Sequence, residues 1–487
     1  MYRSGCRDSA VEIFQGLRGK TETEILPDHP CGRRSARTPG LKFAAKTISD
    51  KRAHKTRETA WEWRQYIEDC TFGRDGNVKE RESKRKKIAL FGHFGQGNFG
   101  NESTLQATLY HLRRFLPDAE VTCICTGPEA TVAAHQIEAI LPAEIFAKSW
   151  TSRNPLLRLA RTICIGIPSE AYRWIKGLMI LRGTDMLIIP GTGLLTDAYG
   201  LLAWGPYNLF KWSLIAKVCH CKLLFVSVGA GPIYGTLGRF FVKFALSLAD
   251  FRSYRDNSTR QYLKGIGFRT NSDPVYPDLV FSLPEAVIPH QDAKKTRRSV
   301  VGLGLMSYAG RYSDPRPSNA IYLAYLENLV RVVEWLLAHE YDVRLLIGDR
   351  WDVPVTQEFR CLLKKQLSVY DERRILDEPV CSVEHLLSQL AATDIVVATR
   401  FHNALLAMLN NKPVISISFH HKCVSLMSSM GLSEYCLDIN DLKADTLIEK
   451  VCDLEKNADK LRSLIREKVG ECRKALDEQY KFIFNDM

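Results

Sequence analysis

The sequence predicts an α/β protein of two Rossmann-like domains facing each other across a cleft. Three observations carry this. From Lys87 onward, short apolar runs alternate with stretches of helical periodicity, the pattern of strands and crossover helices in a parallel sheet. The apolar runs read as buried strands rather than as half-exposed ones. The series then begins again after the polar linker "PHQDAKKTRRS" at 289–299, giving two units of comparable size.

Taken in order, "KIALFG" (87–92) is a strand followed by a helix from Asn101 to Leu116, and "EVTCICTG" (120–127) and "DMLIIPGTG" (185–193) are further strands. "CKLLFVSVGAGP" (221–232) leads into a helix over Leu237–Ala249, and "DFRSYRD" (250–256) precedes one over Asn257–Lys264. In the second series "VVGLGLMSY" (300–308) precedes a long amphipathic helix over Asn319–His339, and "DVRLLIGDR" (342–350) precedes another. "DIVVATR" (394–400), "FHNALLAMLNN" (401–411) and "PVISISF" (413–419) then give strand, helix and strand. The expected domains are 87–288 and 298–452, with a helical segment over 453–487.

The 487 residues suit two to three domains, and 45% hydrophobic with 25% charged residues is a globular composition. The net charge of +12 sits mostly at the front: residues 1–87 hold 21 Lys/Arg against 13 Asp/Glu, leaving 46 against 42 elsewhere. Residues 1–86 therefore read as a basic, largely disordered extension with one short helix over Thr56–Cys70. A solvated tail explains it better than a nucleic-acid arm, and no nucleic-acid partner is expected. The 14 cysteines form no CxxC pair, and Cys123/Cys125 and Cys219/Cys221 lie in strand-like runs where each pair would share one face of the core. With no signal-peptide pattern, a cytoplasmic setting is expected. No run of 18 apolar residues predicts a membrane span. "LLRLARTICIGIPSEAYRWIKGLMILRG" (156–183) mixes basic, apolar and aromatic residues, so peripheral contact at the inner face of a membrane is left open.

Gly95, Gly97 and Gly100 spell GxGxxG after a strand and before a helix, which raises a dinucleotide site. Such a site wants an acid at the end of the second strand to hold the ribose. Thr126, Gly127 and Pro128 stand there instead, so the nicotinamide reading is set aside. What remains is a tight turn whose helix offers N–H groups to an anion or a sugar hydroxyl. Asn98 and Glu102 add polar groups that a plain turn would not need.

In open α/β sheets ligands bind beyond the carboxyl ends of the strands. Arg400 and His402 lie at such an end, with Lys422 beyond the next strand and Arg255 and Asp256 after "SY". Arginine forks carboxylate or phosphate, and histidine exchanges protons near neutral pH. His420, His421 and Cys423 lack zinc-ligand spacing, so no metal is expected.

"GNFGNE", "IIPGTGLL", "VGAGP", "SYRDNSTRQYL", "YPDLVFSL" and "ATRFHNALLAMLNNKPVISISFHHK", in this order over Lys87–Leu432, resemble the polysaccharide pyruvyl transferases. Asn101 stands where that family usually has Asp, and residues 1–86 have no counterpart in it. The resemblance implies a GT-B-like fold and pyruvyl transfer from phosphoenolpyruvate to a saccharide, forming a ketal on an exopolysaccharide or cell-surface polysaccharide unit. It implies Arg400, Arg255 and Lys422 against phosphoenolpyruvate, and His402 as general acid/base with a pKa near the working pH. Asn98, Glu102 and Asp197 would meet the acceptor, a lipid-linked oligosaccharide among the candidates. No cofactor is required. A GT-B glycosyltransferase using a nucleotide sugar, or an inert saccharide-binding protein, would share the architecture.

Overall fold

The computed structural model describes residues 85–142, 154, 157, 161–198, 200–201, 205–270, 272–289, 298–308, 318–367 and 370–486. The expected helix over Thr56–Cys70 and the basic extension up to residue 84 lie outside them.

The first half runs β1 (Lys87–Gly92), α1 (Phe99–Phe115), β2 (Glu120–Cys125), α2 (Pro128–His135), β3 (Glu138–Ile140), α3 (Ile167–Leu181), β4 (Met186–Pro190), α4 (Pro206–Val218), β5 (Lys222–Val228), α5 (Thr236–Ser247), β6 (Phe251–Tyr254) and α6 (Asn257–Gly265). The second runs β7 (Val300–Leu305), α7 (Ser318–Ala338), β8 (Asp342–Ile347), α8 (Val353–Gln366), β9 (Ile375–Leu376), α9 (Val383–Ala391), β10 (Ile395–Ala398), α10 (Phe401–Leu409), β11 (Val414–Ser418), α11 (His421–Ser429) and β12 (Cys436–Asp438). The chain closes with α12 (Ala444–Lys456) and α13 (Ala458–Lys481).

All named strand pairs are parallel, and the two sheets have the orders β3-β2-β1-β4-β5-β6 and β9-β8-β7-β10-β11-β12. These are the same topology twice: each sheet starts in its middle, grows one way, then reverses. The reversal opens a crevice between β1 and β4 and another between β7 and β10. Alternation along the strands divides the first sheet between two cores. Ile88, Leu90, Met186, Ile188, Leu224 and Val226 point to the face that carries α1 and merges with the core of the second half. Ala89, Phe91, Leu187, Ile189, Leu223 and Phe225 point to the face covered by α3, α4 and α5.

Cys123 and Cys125 are buried on one face, as alternation requires. Cys219 and Cys221 differ from expectation. Cys219 ends α4, where its N–H bonds Ile215 O, and Cys221 comes just before β5.

The helical C-terminus is a strap. α13 returns to the first sheet, where Tyr480 stacks on His111 of α1 at 4.1 Å. The buried Gln479 accepts from Ser253 Oγ at 2.7 Å and donates to Ser227 Oγ at 3.1 Å. Ser227 sits at φ +50°, where the β5–β6 register shifts, so a glutamine from the chain end fills a gap that regular pairing leaves. Among the described residues, no helix is long and apolar enough to cross a membrane.

Candidate functional site

The GxGxxG turn lies at the first crevice, with Gly95 and Gly97 at φ +78° and +77°. A nest of backbone N–H groups of this kind attracts an anion. Here the anion is internal: Glu102, on the first turn of α1, accepts from Gly95 N at 2.8 Å and also faces the N–H groups of Gln96 and Gly97. Burial raises its carboxyl above the usual range, and these N–H groups oppose the rise. Where a dinucleotide would bring its ribose, Gly127 at the end of β2 meets the backbone of Gly95, and its N–H bonds Phe94 O at 2.9 Å. Gly95 and Gly127 therefore serve a backbone-to-backbone approach.

The turn then docks on the second half. Asn98 caps α1, its Oδ1 accepting from Asn101 N at 3.1 Å, and its Nδ2 donates to Asp349 Oδ2 at 2.7 Å. Phe99 N bonds Gly348 O at 3.1 Å and Arg350 N bonds Gly97 O at 3.0 Å. These bonds join the loop after β1 to the loop after β8. Within the first turn of α1, a Cβ on Gly100 would overlap the His402 ring. Gly100→Ala should therefore displace the imidazole and, on the acid/base role that the resemblance implies for His402, lower kcat by about 10²-fold, the loss that an ångström of misplacement brings. Turnover compared with the thermal midpoint of the same variant checks this.

His402 is the second residue of α10, beyond β10, and Arg400 is the N-cap of that helix. Arg400 is pinned by a fork: Nε and Nη2 donate to the two carboxylate oxygens of Asp352 at 2.8 and 2.7 Å. Asp352 is fully buried and also accepts from Ser307 N at 3.0 Å. Arg255 arrives from the first half. Its Nη1 donates to Asp278 at 3.2 Å, its Nε lies 3.5 Å from Asp256, and its guanidinium covers the Phe401 ring at 4.8 Å. Gly229 of "VGAGP" explains itself here, since a Cβ on it would overlap that guanidinium. Lys422, on the first turn of α11, holds its Nζ 5.3 Å from the Phe419 centroid and 5.7 Å from that of Phe401. Burial pushes its pKa down to about 8, and Arg255 and Arg400 push the same way.

His402 Nε2 lies 3.9 Å from Asp278 Oδ2 and is buried without a hydrogen-bond partner among the described residues. The imidazole is held well below its ordinary range, first by burial and then by Lys422, Arg255 and Arg400. The sequence asked for a pKa near the working pH. Burial first, and then the three converging cations, disfavour the charged ring instead. Asp278 is buried, which raises its carboxyl, while Arg255 opposes the rise.

The structure thus brings Arg255, Arg400, His402 and Lys422 together, from both halves. Asn98 and Glu102 lie at the edge of this group, turned to capping and loop-holding. Asp197 lies elsewhere: its Oδ2 accepts from Tyr234 N at 2.9 Å and Gly235 N at 2.7 Å, tying the loop after β4 to the start of α5. Sequence reasoning missed Asp278, Asp349 and Asp352. The available signal was position, because each follows a strand end or its loop, in "YPD" and "IGDRWD".

The chain is similar to several known proteins. Amylovoran biosynthesis protein AmsJ of Erwinia amylovora is 20% identical over 407 residues, covering 80% of this chain and 96% of that protein. Among solved structures, the S. aureus MnaA–UDP co-structure matches with a TM-score of 0.51 at 13% identity, over 82% of this chain and 98% of that one. A glycosyltransferase from Rickettsia africae ESF-5 matches with a TM-score of 0.50 at 14% identity, over 83% and 100%. These structural likenesses establish a GT-B-like fold. The polysaccharide pyruvyl transferase family matches residues 98–421, two-thirds of the chain, a span that holds Arg255, Arg400 and His402 and ends one residue before Lys422, and the chain belongs to that family.

Proposed function

We propose that the protein transfers pyruvyl from phosphoenolpyruvate to two hydroxyls of a saccharide, releasing phosphate and leaving a cyclic ketal. The observation that carries this reading is the convergence of Arg255, Arg400 and Lys422 on a neutral, buried His402. A donor bearing both carboxylate and phosphate calls for several fixed cations in a water-poor site.

In this scheme the cations hold the donor, and their charges are offset by it. The bias that keeps His402 neutral then falls, and its pKa rises toward the working pH. Protonated His402 gives its proton to the enol methylene carbon. One acceptor hydroxyl attacks the resulting oxocarbenium-like carbon and returns a proton to the now neutral His402. The C–O bond to phosphate then breaks as the second hydroxyl adds to the same carbon, and the proton of that hydroxyl leaves with the phosphate. Asp278, which accepts from Arg255 and lies 3.9 Å from His402 Nε2, is a positioning residue. Asn98, Glu102 and Asp197 are proposed on the acceptor side, with the first two acting through the loop they shape.

The test is phosphate release from phosphoenolpyruvate with a panel of acceptor saccharides, lipid-linked oligosaccharides included. Acceptor-dependent release with a ketal in the product is expected. Sugar transfer from a nucleotide sugar, with phosphoenolpyruvate inert throughout, would overturn the reading.

A further inference from the structure

We infer that the outer face of α3, α4 and α5 docks on an anionic lipid surface. A helix packed on a sheet normally turns its apolar stripe inward and its polar residues to water. The inward stripes are present: Gly177 and Leu181 of α3 and Val242, Ala245 and Leu246 of α5 are buried. The same helices are also apolar outside. Ile167, Ile175 and Met179 on α3, and Leu237, Phe240 and Phe244 on α5, are between 36% and 61% exposed. Single exposed apolar residues are ordinary, whereas a contiguous group marks a contact surface.

The two stripes belong to one layer. The connections β3→β4, β4→β5 and β5→β6 put α3, α4 and α5 on the same face of the first sheet. Trp174 of α3 donates to Tyr207 of α4 at 3.1 Å, and buried Lys211 of α4 pairs with Glu170 of α3 at 2.9 Å. On the other side Phe210 of α4 meets Phe241 and Phe244 of α5 at 5.0 and 5.2 Å. The layer is therefore stiff, and its outer surface is held in register.

Charge decides the occupant. Residues 161–182 carry Arg161, Arg173, Lys176 and Arg182 against Glu170 alone, and residues 234–248 carry Arg239 and Lys243 with no acid. Glu170 is already committed to Lys211 and Arg173. A second copy would bring the same cationic face against this one. Residues 1–84, with 18 Lys/Arg and 13 Asp/Glu, are no better complement. Apolar and aromatic side chains interleaved with cations match the acyl boundary and headgroups of an anionic leaflet. The face also runs toward the chemistry. Just before α5, Asp197 ties Tyr234 to the loop after β4, and Gly229, in the same β5–α5 loop as Tyr234, abuts Arg255. A saccharide carried on a lipid would thus be presented from the side of the acceptor loops. The surface itself stands whatever the donor proves to be.

Flotation of the full chain tests this, using phosphatidylcholine vesicles with and without phosphatidylglycerol. Wild type should float with the anionic vesicles and sediment with the neutral ones, and added salt should release it. I175E/M179E and, independently, K176E/R182E should each cut the bound fraction at least tenfold, with unchanged thermal midpoints. Failure of wild type to float, or equal flotation of wild type and both variants, overturns the inference. So does a wild-type dimer in sedimentation that I175E/M179E converts to monomer.

Discussion

Replacing His402 by alanine should lower acceptor-dependent phosphate release by about 10²- to 10⁴-fold, the usual worth of a positioned acid/base group. The protein should stay folded, because the imidazole Nε2 has no hydrogen-bond partner among the described residues to lose. The pH dependence carries the sharper test. In the free enzyme burial and then Lys422, Arg255 and Arg400 depress the His402 pKa, and burial depresses that of Lys422 to about 8. The profile of kcat/KM reports the free enzyme. It should fall above about pH 8 as Lys422 loses the charge that attracts the donor. The profile of kcat reports the complex, in which donor anions offset the three cations. The histidine limb should therefore stand at higher pH in kcat than in kcat/KM, and it should vanish in His402→Ala. A histidine limb at the same pH in both profiles would mean that no anion enters among these cations.

Much of the fold was legible. The strands β1, β2, β4 to β8, β10 and β11 and the helices α1, α5, α6, α7, α8 and α10 follow from apolar runs alternating with helical periodicity, because strands buried on both faces leave a strong signal, whereas α2, α4 and α9 were not marked. β3, β9 and β12, at three, two and three residues, are too short to leave one. The return of α13 was hidden for a different reason. Its amphipathic pattern announces a helix, but its destination rests on Gln479 fitting between Ser227 and Ser253, whose vacancy exists only once β5 and β6 have paired out of register. At the site, the four residues Arg255, Arg400, His402 and Lys422 were found because strand ends in open sheets are where ligands bind. The acids that hold them were not, since a carboxylate after a strand looks the same whether it faces water or an arginine. Glu102 shows the limit most clearly: sequence exposes the nest of N–H groups, and only geometry shows that the nest is filled from within.

Arg400→Ala should destabilise the protein by about 3–5 kcal/mol, because it leaves a buried carboxylate without its cation. Asp352 is fully buried, whereas the arginine side chain keeps 26% exposure. Most of the cost therefore falls on the residue that remains. Loss of activity in this variant would say nothing by itself about donor contact. The two roles separate in the double variant Arg400→Met/Asp352→Leu, in which apolar groups of similar size replace the pair. Such exchanges are often neutral or stabilising, so the urea midpoint should recover while the KM for phosphoenolpyruvate stays high. Arg400→Lys makes the complementary case. It keeps a charge beside Asp352 but loses the planar fork, so stability should fall less than in the alanine variant and donor affinity should still drop. If the double variant regains both stability and donor affinity, Arg400 is a structural partner of Asp352 and the donor is held by Arg255 and Lys422 alone. If it regains stability only, the pair divides its work: Asp352 fixes the guanidinium, and the guanidinium faces the donor.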